Sequence, residues 1–299
     1  MALKLTINSS ATRIRRGGMV EESIERAAAR AIVAMREGLG EQLTVDDMAR
    51  AAMFSKFHFS RIFQRATGLS PGRFLSALRL QYAKHLLVST SLNVADICLR
   101  VGYNSVGTFS SRFSKSVGMS PTTYRRCSGF AEQIPTVPAH RVASTARLYG
   151  NARLSQLGAS GPVFIGLFPD RIPEGRPARC TILPAPGPYS FDTVPPGTWY
   201  LLAQSVSGDW QTPPLDPADA EGRVSVATYG PITVRRDTVR ADLTLKPARD
   251  LDPPVLLALT DARELALATA AERTEGAAPS MLVSSARSPH ERALQRPAA

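Results

Sequence analysis

The sequence predicts a multidomain protein of α and β type, in which an all-α double helix-turn-helix domain is followed by a small antiparallel β-sandwich. Residues 55–71 (SKFHFSRIFQRATGLSP) and 105–121 (SVGTFSSRFSKSVGMSP) share Ser, Phe, Gly and Pro positions at a constant offset of fifty residues. The apolar pattern is helical up to about residue 126, whereas a period of two begins at Pro162. The excess of positive charge lies entirely in the half that carries the repeat.

The chain is expected to begin with a disordered arm, residues 1–19, which includes the basic run Arg13, Arg15 and Arg16. Met19 is an alternative start to Met1. A first helix is predicted over about 20–38, because apolar residues recur there at spacings of three and four. Glycines at 38 and 40 end it.

The first helix-turn-helix unit is predicted from its caps. Thr44-Val-Asp-Asp resembles a capping box that opens a short helix through Ala51. Ser55 caps a second helix that runs to about Thr67, where a glycine stops it. A long helix over about 71–89 then starts with Ser as the N-cap and Pro at its first position.

The same cycle is predicted a second time. Asn93 caps a short helix through Arg100, and Ser105 caps the helix that Gly118 ends. A last turn follows, with Tyr124 in it. Each unit is thus a short helix, a tight turn and a second helix, and in such units the second helix enters the major groove of DNA.

One face of each second helix is expected to point outward. In the first unit Phe59, Ile62, Phe63 and Ala66 share the inward face, and in the second Phe109 and Phe113 do so. The candidate DNA contacts are Lys56, Phe57, Ser60, Arg61, Gln64, Arg65, Val106, Gly107, Ser110, Ser111, Arg112 and Lys115. A core position for Phe57 and ordinary surface charge for Arg61, Arg65 and Lys115 are the alternatives.

Residues 24–126 resemble the DNA-binding domain of the AraC/XylS family of transcription regulators. The most specific stretch is DICLRVGYNSVGTFSSRFSKSVGMSPTTYRR, residues 96–126. Matching positions are Gly102, Tyr103, Phe109, Phe113, Gly118, Ser120, Pro121, Tyr124 and Arg125. The resemblance implies two recognition helices, joined by a long helix, that read two successive major-groove segments about 34 Å apart.

Carried over by position, the resemblance makes Phe57, Ser60 and Arg61 base-facing in the first unit. In the second unit the base-facing positions are Val106, Gly107, Ser110 and Ser111. Many relatives have a long polar side chain where Ser111 stands, so we expect the first unit to supply more of the sequence discrimination. The second unit is expected to use phosphate contacts and an apolar contact of Val106 with thymine methyl groups.

Composition narrows the classes of partner. Residues 1–130 hold 19 Lys and Arg against 8 Asp and Glu, whereas residues 131–299 hold 17 of each. A basic domain suits a polyanion, so double-stranded DNA is the predicted partner, with RNA polymerase as a candidate second partner. Three scattered cysteines and four histidines show no metal spacing, and no cofactor is predicted. No apolar run is long enough for a membrane span, and a cytoplasmic protein is expected.

The second half is predicted to begin with a linker, 128–159, and to continue as the β-sandwich, 160–247. Candidate strands are 162–168, 178–183, 188–193, 198–206, 223–228, 231–236 and 238–245. FDTVPPGTWYLLAQS loosely resembles carboxypeptidase-regulatory-like or transthyretin-like sandwich domains. Residues 248–299 are expected to form a short helix and a disordered tail.

The sandwich is expected to sense an effector or to mediate self-association. Trp199, Tyr200 and Trp210 are its candidate ligand-binding residues, with a role as hydrophobic anchors as the alternative. No spacing typical of catalysis is present, so no enzyme is predicted. The alternative function is an architectural or accessory DNA-binding protein whose sandwich binds other proteins. An accessory enzyme acting on carbohydrate or peptide is suggested by the sandwich resemblance alone.

Overall fold

The computed structural model describes residues 9–129, 136, 146–155, 161–206, 224–235 and 237–258, with side chains from Val20 onward. Seven helices come first among these residues. They are α1 (Ser9–Glu37), α2 (Val45–Ala52), α3 (Lys56–Thr67), α4 (Pro71–Ser89), α5 (Val94–Arg100), α6 (Val106–Val117) and α7 (Pro121–Arg126). Within the described ranges, no helix has the length and apolar character that a membrane crossing needs.

The predicted helix bounds hold except at the first helix. The backbone of residues 9–19, expected to be part of a disordered arm, continues α1. The predicted capping box is present at α2, where Thr44 Oγ1 accepts from the backbone N–H of Asp47 at 3.2 Å. Ser55 and Ser70 are N-caps by position, but their side chains make no capping hydrogen bond.

The repeat in sequence is a repeat in packing. In the first unit Phe59, Phe63 and Phe74 form a chain of rings with centroids 5.4 and 5.5 Å apart. In the second unit Phe109, Phe113 and Tyr124 form the same chain, with centroids 5.8 and 5.6 Å apart. The last pair of rings is edge-on in both units, the geometry that aromatic quadrupoles favour.

The two equivalent ring chains fix α3 against the start of α4 and α6 against α7. All five Phe rings are fully buried, and the helical domain has one continuous core. Met53, Gly68, Gly102 and Gly118 have positive φ at the ends of helices or in the turns between them. The backbone reversals that these positions allow orient α3 and α6.

Eight strands follow among the described residues. They are β1 (Arg147–Leu154), β2 (Val163–Phe168), β3 (Arg179–Leu183), β4 (Pro188–Phe191), β5 (Gly197–Val206), β6 (Val224–Val234), β7 (Thr238–Arg240) and β8 (Leu243–Pro247). They form one hydrogen-bonded path in the order β3-β2-β5-β6-β8-β1-β4, with β7 paired to β1. The described strands thus form a single sheet, and the predicted sandwich of two sheets is not confirmed.

Three predictions for the β region were wrong in detail. The predicted single strand 238–245 is two strands, β7 and β8, with residues 241–242 between them. Strand β1 lies in the stretch predicted as linker, where it pairs with β4, β7 and β8. Its buried residues include Gly150 and Ala152, which are too small to give an apolar alternation. Strand β6 continues through Gly230-Pro231, where a break between the predicted strands 223–228 and 231–236 was expected.

The sheet has an apolar cluster on each face. One face holds the main β core, which includes Leu148, Ile165 and Leu201. The opposite face holds Phe164, Phe168 and Leu202, and Leu257 packs against them. The apolar residues on this opposite, outer face must also be covered, and residues 251–258 cover part of them.

Residues 251–258, the C-terminal strap, connect the two modules. Leu251, Leu256 and Ala258 are buried in the helical core, whereas Leu257 is buried on the outer face of the sheet. Lys84 Nζ of α4 donates to the carbonyl oxygens of Val255 and Leu257, both at 3.2 Å. The strap therefore shares its side chains between two hydrophobic clusters, and the modules pack against each other.

Candidate DNA-binding surface

The outward face of α3 carries the predicted contacts of the first unit. Lys56, Phe57, Arg61, Gln64 and Arg65 are exposed, and Ser60 is half-buried. Phe57 is 84% exposed, so the alternative of a core position is excluded for it. A large apolar ring in open solvent, flanked by polar side chains, is available to contact base edges or thymine methyl groups.

The outward face of α6 is smaller and less charged. Val106 is 43% exposed, Gly107, Ser111, Arg112 and Lys115 are exposed, and Ser110 is half-buried. A Cβ on Gly107 would meet only the Ser105 hydroxyl, at 3.8 Å. The backbone at the start of α6 is therefore open, and a phosphate or base edge can approach it closely.

Three of the candidate cations have no acidic partner among the described residues: Arg61, Arg112 and Lys115. Lys56 Nζ lies 2.8 Å from Asp46, and Arg65 pairs with Glu21 of α1. Exposed ion pairs of this kind are worth about 0–1 kcal/mol, so Lys56 and Arg65 can exchange their carboxylates for phosphates at small cost. The unpaired guanidinium of Arg61 fits a bidentate contact to guanine.

Some hydroxyl groups on these faces already have partners. Ser60 Oγ donates to the carbonyl oxygen of Lys56 at 3.0 Å, and Ser114 Oγ donates to that of Ser110 at 2.7 Å. A serine whose hydrogen is used in this way keeps its lone pairs free, so Ser60 is better suited to accept from a base than to donate.

Thr108 was not among the predicted contacts. It is exposed in the first turn of α6, directly after Gly107. It stands fifty residues after His58, which is also exposed and whose ring lies 5.0 Å from that of Phe54. The repeat offset was the available signal, because it places both residues at the same position of their recognition helices.

The candidate ligand-binding aromatics do not form a common site in the described residues. Trp199 is half-buried against the main β core, and its Nε1 donates to the Pro195 carbonyl oxygen at 2.9 Å. Tyr200 lies on the opposite face, with the Arg171 guanidinium 5.9 Å from its ring centroid. Trp210 lies outside the described residues.

The described residues contain no cluster of His, Cys, Asp and Glu that would hold a metal ion. Cys98 is buried, and burial raises the pKa of its thiol. Its Sγ donates to the Tyr103 carbonyl oxygen at 3.4 Å, so its role is in packing the turn before α6.

The chain is similar to known proteins over its helical domain. Residues 48–127 match the family model described as "Helix-turn-helix domain". The HTH-type transcriptional activator AarP of Providencia stuartii is 32% identical over 94 residues, which are 31% of this chain and 70% of AarP. The melibiose operon regulatory protein of Escherichia coli K12 is 35% identical over 92 residues, 31% of this chain and 30% of that protein.

Among solved structures, an AraC-type transcriptional regulator from Chromobacterium violaceum is 28% identical and covers 34% of this chain and 91% of its own, with a TM-score of 0.33. The chain spans about a third of the length of the larger curated relatives that it matches, and 70% of AarP. The match to AarP, together with the duplicated helix-turn-helix unit, shows that the chain belongs to the AraC family of HTH-type transcriptional regulators.

Proposed function

We propose that this protein is a sequence-specific DNA-binding regulator of transcription that reads two successive major-groove segments with α3 and α6. The observation that carries the proposal is the duplicated unit itself. The same chain of three rings orients a recognition helix in each unit, and each helix turns an exposed face outward. Two such helices in one chain fit two neighbouring segments of one DNA face.

The charges on the two helices support unequal roles. Arg61 of α3 is exposed and unpaired among the described residues, whereas the central face of α6 holds Ser110 and Ser111 with Arg112 and Lys115 beside them. In this proposal α3 reads bases, and α6 mainly positions the protein on phosphates. The site of action is the cytoplasm, and RNA polymerase is a partner to be tested.

A cleft between the modules is the candidate position for an effector in this proposal, with the purely architectural role of the β module as the alternative. It has a volume of about 600 Å³, and its lining includes Arg65 and Thr67 of α3, Arg171, and Lys246 of β8. This size suits a small organic molecule. A molecule bound there would touch the end of a recognition helix, so a ligand-dependent change in DNA affinity separates this role from the architectural alternative.

The experiment that tests the proposed function is selection of genomic fragments with the purified full-length protein, beside a shortened chain that ends at Arg126. We expect both to enrich the same two short blocks, with centres about 10 base pairs apart for the full-length protein. If only the full-length protein enriches fragments that carry two copies of the motif, the β module mediates dimerisation. Enrichment of no motif by either protein would overturn the proposal.

A further inference from the structure

The β2–β3 loop, residues 169–178, enters the helical domain. Ile172 is 2% exposed and belongs to the helical core rather than to either cluster of the sheet. The Glu174 N–H donates to the Ile172 carbonyl oxygen at 2.9 Å, which closes a tight turn, and the Leu256 N–H of the strap donates to the Pro173 carbonyl oxygen at 3.2 Å. The loop is therefore held both by the helical core, through Ile172, and by the strap, through the hydrogen bond to Pro173.

The loop holds the end of the second recognition helix. The Gly175 N–H donates to the Ser116 carbonyl oxygen at 2.8 Å, and Ser116 Oγ donates to Glu174 Oε2 at 2.7 Å. Ser116 lies in the last turn of α6 and is 2% exposed. The last carbonyl groups of a helix have no partner within the helix, so the loop satisfies a group that would otherwise be buried without a hydrogen bond.

The same loop holds the joint between the first recognition helix and α4. Arg73, in the first turn of α4, donates through Nη2 to Glu174 Oε1 at 3.2 Å and also pairs with Asp170. Burial by itself would lower the pKa of the Arg73 guanidinium, but the hydrogen bonds and charges of Asp170 and Glu174 raise it overall. Arg171 packs against Gly68, the C-cap of α3, so closely that a Cβ there would come within 2.6 Å of Arg171 Nη1.

We propose that the β2–β3 loop fixes the relative position of the two recognition helices, with Glu174 as the positioning residue that bridges them. One oxygen of its carboxylate accepts from the α6 end through Ser116, and the other accepts from the α3–α4 joint through Arg73. The β module thereby sets the spacing of the two DNA segments that the protein accepts. The inference rests on the proposed function and adds the determinant of spacing.

The precision with which the two recognition helices must be positioned follows from DNA geometry. Successive base pairs are about 3.4 Å apart along the axis, and each step also rotates the groove. A clamp that holds two helices to within a fraction of that step favours one centre-to-centre spacing, whereas a looser pair of helices tolerates neighbouring spacings. Glu174 touches no DNA in this scheme and acts through Ser116 and Arg73.

The test compares Glu174→Ala with Asp250→Ala in the full-length protein. Asp250 is the matched control, because its carboxylate lies 2.8 Å from Arg36 of α1 and therefore also joins the modules, but it contacts neither recognition helix. Affinities are measured on a panel of the selected motif with its blocks one and two base pairs closer or farther apart. We expect the preference of Glu174→Ala for the best spacing to fall about fivefold or more, while Asp250→Ala keeps the wild-type profile. Identical profiles for the two variants would overturn the inference.

A second measurement does not depend on a DNA site. Spin labels on Gln64→Cys and Ser111→Cys, in a background with Cys98, Cys127 and Cys180 replaced by alanine, report the distance between α3 and α6. We expect one narrow distance distribution for the parent and for Asp250→Ala, and a broader one for Glu174→Ala. An unchanged distance distribution for Glu174→Ala would contradict the positioning role of Glu174, whether or not the selection finds a DNA motif. A broader distribution would support that role. If the selection then finds no motif, only the proposed function is contradicted. Thermal unfolding checks that each variant is folded. If Glu174→Ala does not fold, Glu174→Asp replaces it, because its side chain is one methylene too short to bridge Ser116 and Arg73.

Discussion

In the proposed function, direct readout of bases depends mainly on Arg61. It is exposed on α3, and no described carboxylate neutralises it. Arginine that forks onto guanine is the commonest specific contact in the major groove. Ser111, on α6, offers a short hydroxyl at the centre of a face with few long polar groups. The contrast between these two residues predicts that the two halves of the recognised site differ in how strictly they are read.

Arg61→Ala is expected to cost about 1–3 kcal/mol of binding free energy on the cognate site and to relax one base position. The measurement is binding to a library in which each base pair is varied. Arg26→Ala is the control, because Arg26 lies on α1 and is 65% exposed in a helical pair with Glu22. A sequence profile that is the same for Arg61→Ala, Arg26→Ala and the parent would contradict the assignment of Arg61.

Ser111→Arg should raise affinity for DNA in general or create a new preference in the half of the site read by α6. The added guanidinium would stand on an exposed position of the recognition helix, where it can reach phosphates or guanine. Binding to the same library of varied base pairs measures this change in affinity or preference. Ser89→Arg, at the exposed end of α4, is the control for the added charge alone. If both substitutions act equally, α6 does not sit in the groove.

At the scale of elements, sequence predicted the helical domain well because its signals are local. Caps such as Thr44 and Asn93, and the glycines that end α3 and α6, act within one turn of chain. The bounds of those helices therefore agree with the sequence within a residue or two, whereas the start of α1 does not, because the apolar face on which that prediction rested begins only at Ile24.

The β module was predicted less well because its pairing is long-range. Strand β1 is held by partners some forty and ninety residues away, including a parallel ladder with β8 in which Ala152 faces Leu243. Its small residues carry little periodic signal. The role of the β2–β3 loop was not accessible either, because nothing near Glu174 in the sequence indicates Ser116 or Arg73 as partners.

Gly118→Ala is expected to destabilise the helical domain by about 1–3 kcal/mol, because φ is 97° at this C-cap and an L-residue is strained there even though the space is open. Gly72→Ala is the matched control. It lies inside α4 with nothing within 4 Å of the added methyl, so it should be neutral or stabilise by up to about 1 kcal/mol. Denaturant unfolding followed by helical circular dichroism measures both, and equal effects would contradict the left-handed cap at 118.

At the scale of the whole molecule, the strap and the β2–β3 loop make the stability of the two modules interdependent. Leu256 and Leu257 are neighbours in sequence, yet the first is buried in the helical core and the second on the outer face of the sheet. In the proposed function, an effector in the cleft acts on α4 and the recognition helices through these packed side chains.

Leu256→Ala is expected to cost about 2–5 kcal/mol and to reduce amide hydrogen-exchange protection in α4. Leu257→Ala, the adjacent control, should instead reduce protection in β2 and β5, whose Phe164 and Leu202 it covers. Loss of protection in the same segments for both variants would mean that the strap does not divide its side chains between the modules.

The central claim is that one chain reads two adjacent major-groove segments with α3 and α6, and methylation interference on the selected site tests it most directly. The account predicts two blocks of interfering guanines on one DNA face, about 10 base pairs apart. Arg61→Ala should weaken interference in one block and leave the other unchanged, and Ser111→Arg should alter only the other. A single block, or two blocks that respond alike to both substitutions, would contradict the claim that each helix reads its own segment.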